Sequence, residues 1–271
     1  MTETVPELPA EAVTAGFADL HHGDEPLLLP NAWDHASARA LAAQGFRAIG
    51  TTSLGVAAAA GLPDGTSATR DETLRRALAL GSESFLLSVD AEDGYSEGPE
   101  EVGEFARELA AVGAVGINLE DRLGSSALHA AKIAAVKSAA PGLFVNARTD
   151  TYWLGDGEGT TARLDTYRQA GADGVFVPGL TDPGDIAALV KRLDVPLNIL
   201  YTPTGPTVPH LADLGVRRVS LGSLLYRRAL GAALEAVAEI RAGRTPRGAT
   251  PSYGEVDALS RRGDPTHSDG P

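Results

Sequence analysis

Short apolar runs alternate along this chain with longer Ala- and Leu-rich segments whose apolar positions recur at helical spacing. The runs fall at residues 27–29, 48–50, 85–89, 115–119, 143–147, 174–177, 197–200 and 218–221. Apolar runs of this length, bounded by turn residues, predict strands buried on both faces, the setting of a parallel sheet. About 20 to 30 residues separate most of them, room for a helix and two loops, as a right-handed crossover requires. Helices are predicted over 34–44, 100–112, 128–140, 159–170, 182–193 and 224–242. Several stop at a glycine, as in Gln44-Gly45, Val112-Gly113 and Ala170-Gly171. Eight uninterrupted β/α units predict an α/β fold, a (β/α)8 TIM-type barrel, with a doubly wound open sheet as the alternative. The second and third runs stand roughly 35 residues apart, a long connection. It holds the small-residue stretch Ala57-Ala58-Ala59-Ala60-Gly61-Leu62-Pro63-Asp64-Gly65, read as a loop, before a helix at 71–80. Long βα loops on a barrel belong to its active face.

In a barrel the chemistry gathers where strands finish, so the residues after each run matter most. The first run delivers Pro30-Asn31-Ala32-Trp33-Asp34 and the second Thr51-Thr52-Ser53-Leu54-Gly55. The third leads into Ser88-Val89-Asp90-Ala91-Glu92-Asp93-Gly94-Tyr95, the fourth into Glu120-Asp121-Arg122, and the fifth into Arg148-Thr149-Asp150. Crowded carboxylates at a buried strand end repel one another, and a hard divalent cation with oxygen ligands is the usual compensation. A solvated acidic turn is the alternative. Asp90, Glu92 and Glu120 come from adjacent strands, with Asp64 available from the long loop. Four carboxylates suit Mg²⁺, or Mn²⁺, better than Zn²⁺, because the chain has no cysteine and no His-x-x-x-His pair. Glu120-Asp121 also reads as an acidic pair at a helix N-terminus. Arg148 reads either as a counter-ion for these carboxylates or as a fork for a substrate carboxylate. Trp33 reads equally as a core aromatic.

Composition narrows the partners. The net charge of −13 argues against nucleic acid and against anionic membrane surfaces. With 43% hydrophobic residues over 271 positions, a large core is attainable, and the absence of cysteine removes disulfides and thiolate chemistry. No basic segment followed by an apolar core begins the chain, and no apolar run approaches membrane-spanning length. The expectation is a soluble cytoplasmic protein.

These residues, in this order, resemble the isocitrate lyase/phosphoenolpyruvate mutase superfamily. The matching segments are Pro30-Asn31-Ala32-Trp33-Asp34, Thr51-Thr52-Ser53-Leu54-Gly55, Asp90-Ala91-Glu92-Asp93-Gly94-Tyr95, Asn118-Leu119-Glu120-Asp121 and Asn146-Ala147-Arg148-Thr149-Asp150. Gly171-Ala172-Asp173-Gly174-Val175-Phe176-Val177-Pro178 fits as well. The resemblance implies a Mg²⁺-dependent barrel that forms or stabilises the enolate of a 2-oxo acid. It implies that Asp90 touches the metal and that Asp64, Glu92 and Glu120 reach it largely through water. Around the substrate carboxylate it implies Trp33, Thr52, Ser53, Leu54 and Arg148.

The chain also departs from that family. The lyase branch carries Lys-Lys-Cys-Gly-His after the fourth strand, where this chain reads Arg122-Leu123-Gly124-Ser125-Ser126. The phosphorus-handling branch has a histidine after the sixth strand, where Pro178 stands. Tyr95, or water, is then left to protonate an enolate. Carbon–carbon cleavage resembling oxaloacetate decarboxylation is the leading expectation, because it asks least of a side-chain acid. A C–P mutase or hydrolase and a 2-oxo acid-binding protein with little turnover are the alternatives. Residues 1–242 are expected to form one barrel, 243–262 a linker and a protruding helix (253–261), and 263–271 a disordered tail. The resemblance implies exchange of that terminal helix within a homodimer or within a tetramer built from two swapped dimers.

Overall fold

A computed structural model of the chain describes residues 16–260. It is a barrel of parallel strands, and eight strand positions account for its nine paired segments. Strand β1 is interrupted at Pro30 into Leu27–Leu29 and Asn31–Ala32. The others are β2 (Ala48–Thr51), β3 (Leu86–Asp90), β4 (Ala114–Glu120), β5 (Phe144–Arg148), β6 (Gly174–Phe176), β7 (Leu197–Leu200) and β8 (Arg218–Ser220). The first piece of β1 pairs with β8 and the second with β2, so the circuit of strands returns to its start. This is the predicted TIM-type barrel, and the open sheet is excluded.

Asn31 secures the closure. Its Nδ2 donates to Thr51 O at 2.7 Å, and its Oδ1 accepts from the backbone of Leu221 (3.0 Å) and Gly222 (2.8 Å). One side chain thereby ties β1, β2 and the end of β8. Gly50 makes room for it, since a Cβ there would lie 2.6 Å from Asn31 Nδ2.

Helices α1 (His35–Ala43), α2 (Ser53–Ala60), α3 (Arg70–Leu80), α4 (Pro99–Ala111) and α5 (Ser126–Ala139) jacket the first strands. A single turn α6 (Thr151–Leu154), then α7 (Thr160–Gln169), α8 (Pro183–Arg192) and α9 (Val208–Asp213) follow the later ones. Helix α4 shows the sequence logic: Val102, Phe105, Ala106 and Leu109 recur at i, i+3, i+4 and i+7, and all are buried. The stretch read as a loop at 57–60 is instead the last turn of α2. Alanine is the strongest helix former, and Gly61, left-handed at φ 70°, ends the run.

The barrel interior is layered. At the N-terminal end Phe17, Leu29, Ala48, Val115 and Phe144 form an apolar plug, with the His21 ring stacked 4.4 Å from Phe144. Above it lies a polar floor. Arg218, 1% exposed, donates to Asn118 Oδ1 (3.1 Å) and Ser220 Oγ (3.2 Å). Asn146 also donates to Asn118, and Asn198 to Ser220. Burial pulls the Arg218 guanidinium down to about 9. The plug fills one end, so among the described residues the interior opens at the C-terminal ends of the strands.

After β8, helix α10 (Leu224–Arg241) stands away from the barrel with Leu230, Leu234, Val237 and Ile240 exposed. The linker folds back onto its end, where Arg247 N donates to the buried Glu239 at 2.9 Å. Helix α11 (Tyr253–Ala258) is shorter than the expected 253–261. Position 261 and the tail expected to be disordered lie outside the described residues, as do residues 1–15. Among the described residues no helix is long and apolar enough to cross a membrane.

Candidate active site

A cavity of about 200 Å³ opens at the C-terminal ends of the strands. Asn118 and Ser220 of the polar floor form its base. Thr52, Ser53, Leu54, Asp64, Asp90 and Arg148 line one side; Pro178, Leu200, Tyr201, Ser223 and Arg227 line the other. The volume suits a metabolite of a few carbons rather than a large cofactor.

Each predicted carboxylate is held differently. Asp90 ends β3, where its backbone N–H donates to Thr51 Oγ1 (2.8 Å) and its Oδ2 accepts from Ser53 N (3.1 Å). Asp64 arrives from the segment between α2 and α3. Burial raises its pKa and Asp90 adds to the rise, while the Ser53 hydroxyl counters it. Glu92 takes a left-handed backbone (φ 49°) and is 1% exposed. Thr69 Oγ1 donates to its Oε1, while its Oε2 is buried without a partner. Burial raises Glu92 as well. Glu120 N donates to Glu92 O (2.8 Å), which brings the two loops together. Burial pushes the Glu120 carboxyl up to about 8 although Arg148 pulls it down.

Arg148 links this group to the cavity. Its Nη1 lies 2.9 Å from Glu120 Oε2, and its Nε donates to Asp150 Oδ1 at 2.6 Å. Burial alone would lower the guanidinium; Glu120 and Asp150 outweigh it, so the side chain is held charged. Arg148 is therefore a counter-ion for two carboxylates, and it also lines the cavity.

Helix α2 presents its N-terminus here. Its cap residue Thr52 makes no side-chain cap bond, and the Ser53 N–H of the first turn is taken by Asp90 Oδ2. Ser53 and Leu54 line the cavity.

Other expectations land elsewhere. Trp33 stacks edge-on against Tyr226 (5.5 Å) and does not line the cavity, which favours its reading as a packing aromatic. Tyr95 packs edge-on to Phe105 (5.1 Å), and its hydroxyl pairs with Thr73 Oγ1 (2.9 Å), also off the cavity wall. Burial raises that phenol, which makes it a weaker acid. Asp121 is no helix-terminal charge. It takes hydrogen bonds from Thr149 (2.8 Å), Tyr167 (2.6 Å) and Arg163 (2.9 Å), so it braces β4 against β5 and α7. Trp153, Phe176 and Arg227 line the cavity although no sequence signal marks them. Trp153 and Arg227 belong to the helical turns after β5 and β8, beyond the strand ends themselves.

Among the described residues no three His, Cys, Asp or Glu side chains close on a point as a ready-made metal cage. The oxygen set still fits a hard divalent cation that keeps much of its water. Asp90 and Asp64 face the cavity, Glu92 has an orphaned buried oxygen, and burial raises both Glu92 and Glu120.

Residues 17–241 match the family model described as phosphoenolpyruvate phosphomutase. The chain is 45% identical over 249 residues to an uncharacterized protein of Mycobacterium tuberculosis, covering 89% of this chain and 95% of that one. It is 30% identical over 217 residues to 2-methylisocitrate lyase of Bacillus subtilis, covering 75% and 72%. Among solved structures, a protein of Burkholderia cenocepacia J2315 in the lyase/mutase class superposes with a TM-score of 0.84. It is 35% identical, over 93% of this chain and 97% of that one.

The raised Glu120 predicts a stability signature in the metal-free protein. Between its unfolded value of 4.5 and its folded value of about 8, the native state binds the extra proton. Stability from this group therefore falls as pH rises through that window. In chelator-treated protein, raising the pH from about 5 to about 8 should lower Tm more in the parent than in Glu120→Gln, by about 2–4 °C for each kcal/mol recovered. Parallel Tm profiles for the two proteins would contradict the assignment.

Proposed function

This chain belongs to the phosphoenolpyruvate phosphomutase family, and within it we propose a lyase that breaks a carbon–carbon bond of a small 2-oxo acid through an enolate, in the manner of a decarboxylase. One observation carries this reading: Arg148, fixed by Glu120 and Asp150, shares a 200 Å³ cavity with Asp90, Ser53 and Leu54. A divalent cation held at Asp90, with Asp64, Glu92 and Glu120 around it, supplies Lewis acidity to the substrate's keto oxygen when bound.

The remaining work falls to the chain's own residues. Arg148 receives the substrate carboxylate, which orients the keto group toward Asp90. Asp150 and Glu120 hold the guanidinium in place, so little ordering is left to do at binding. Asn118 and Ser220 close the floor against bulk water. Enolate charge that builds as the bond breaks meets groups already oriented for it. Water protonates the product carbon in this account, because the Tyr95 hydroxyl is engaged with Thr73 away from the cavity. Pro178 in the cavity wall leaves no imidazole there, which disfavours the phosphorus-transfer reading.

The protruding α10 supports a quaternary proposal. Leu230, Leu234, Val237 and Ile240 form an exposed stripe at i, i+4, i+7 and i+10, and Tyr253 and Val256 extend it on α11. A second copy of this chain covers the stripe, with terminal helices exchanged in a dimer. Sedimentation should give a dimer or larger for the intact chain and a shift toward monomer after truncation at Arg244. A monomeric intact chain would overturn this.

For the activity, a panel of 2-oxo and 2-hydroxy diacids with Mg²⁺ should reveal at least one compound cleaved above the metal-only rate. Arg148→Ala should weaken its binding by about 2–5 kcal/mol, and Arg148→Lys should restore only part. Binding of 2-oxo acids without any turnover would replace the lyase with a binding protein. An unchanged KM in Arg148→Ala would remove Arg148 from the substrate.

A further inference from the structure

The polar floor beneath the cavity does more than seal the barrel. Arg218 is 1% exposed, and the hydrogen bonds it makes go to neutral groups: Nη2 to Asn118 Oδ1 at 3.1 Å and Nε to Ser220 Oγ at 3.2 Å. Its Nη1 is buried without a partner. A guanidinium sealed among neutral groups is costly in a low-dielectric core, so packing alone does not account for it.

Arginine donates and never accepts. Asn118 must therefore turn its amide oxygen, and not its nitrogen, toward Arg218. Asn146 Nδ2 donates to the same oxygen at 2.8 Å. With Oδ1 held from two sides, the other edge of the amide is fixed as well. That edge is Nδ2, which has no hydrogen-bond partner among the described residues and is not sealed from the cavity. Asn118 lines the cavity base, so this N–H group is presented to a ligand.

Strand register says where on the ligand it acts. Asn118 is the partner of Asp90 across β3 and β4, whereas Arg148 is the partner of Glu120, one layer nearer the mouth. The donor thus stands beside the carboxylate proposed to hold the cation and a layer below the arginine that takes the substrate carboxylate. An oxygen polarised by the cation keeps a second lone pair, and an amide N–H suits it.

We propose that Asn118 donates a hydrogen bond to the ligand oxygen on which enolate charge develops, with Arg218 as the positioning residue that sets its amide. The inference rests on the 2-oxo acid reading above and adds a donor to that site. Arg218 itself touches no substrate atom.

Oxalate and pyruvate separate this role from a structural one, because oxalate places negative charge where pyruvate has a neutral keto oxygen. Binding of each is read by calorimetric titration in Mg²⁺ buffer, alongside Tm. Asn118→Leu should weaken oxalate at least about tenfold and leave pyruvate within about threefold. For any 2-oxo acid that the parent cleaves, kcat should fall about 100- to 1,000-fold with KM within about threefold. Asn118→Asp keeps an oxygen toward Arg218 and replaces the donor with a charge, so it should fold and bind oxalate more weakly still. Arg218→Met should also weaken oxalate, and combining it with Asn118→Leu should add no more than about twofold to the loss from Asn118→Leu alone. Equal losses of oxalate and pyruvate in Asn118→Leu, or undiminished oxalate binding in either Asn118 variant, would overturn the donor role while the 2-oxo acid reading stands. Additive losses in the double variant would overturn the positioning role of Arg218. A parent that binds neither acid would overturn the reading and this inference together.

Discussion

Negative charge crowded into a low-dielectric barrel mouth is the constraint on which the site depends. Asp64, Asp90, Glu92, Glu120 and Asp150 converge there, and burial makes each of Asp64, Glu92, Glu120 and Asp150 a weaker acid than in water. Two unit charges about 4 Å apart interact by about 4 kcal/mol at an effective dielectric of 20, so such a group cannot persist without positive charge. Arg148 supplies part of it through Glu120 and Asp150. The orphaned Glu92 oxygen and the raised Glu120 mark the remainder as unmet by the chain itself. That deficit is what a divalent cation would meet.

The scaffold holds that deficit in place. Asn31 closes the ring of strands where Pro30 breaks β1, and the floor from Arg218 through Asn118 to Asn146 crosses the barrel beneath the cavity. Buried polar groups are tolerated when they are bonded, and such networks fix one arrangement of the groups above them. Asp121, saturated by Thr149, Tyr167, Arg163 and the backbone of Leu123 and Asp150, performs the same service between β4 and β5. Stability at the rim and preorganisation of the site are therefore carried by neighbouring residues of the same loops.

Much of this was legible in the sequence because parallel strands announce themselves as apolar runs and a barrel puts its chemistry at their ends. Asp90, Ser53, Leu54 and Arg148 follow such runs in the sequence and line the cavity. The Ala57–Ala60 stretch was misread because small residues next to glycine resemble a loop, whereas alanine also favours helix and Gly61 only stops it. Trp33 and Tyr95 sit in matching segments, yet their rings turn to Tyr226 and Phe105, a choice made by packing that no linear pattern records. Arg227 escaped notice for the converse reason. It lines the cavity a helical turn past the strand end, where an arginine looks like an ordinary surface charge.

The central claim is that an acid head group and a divalent cation occupy one site between Asp90 and Arg148. Calorimetric titration of oxalate, a planar dianion with adjacent carboxylates, tests it with Mg²⁺ present and absent. Each ligand should strengthen the other by the same factor. Asp90→Asn should abolish this coupling, and Arg148→Ala should weaken oxalate at least about tenfold. Oxalate binding of equal strength with and without Mg²⁺, unchanged in Asp90→Asn, would contradict that claim.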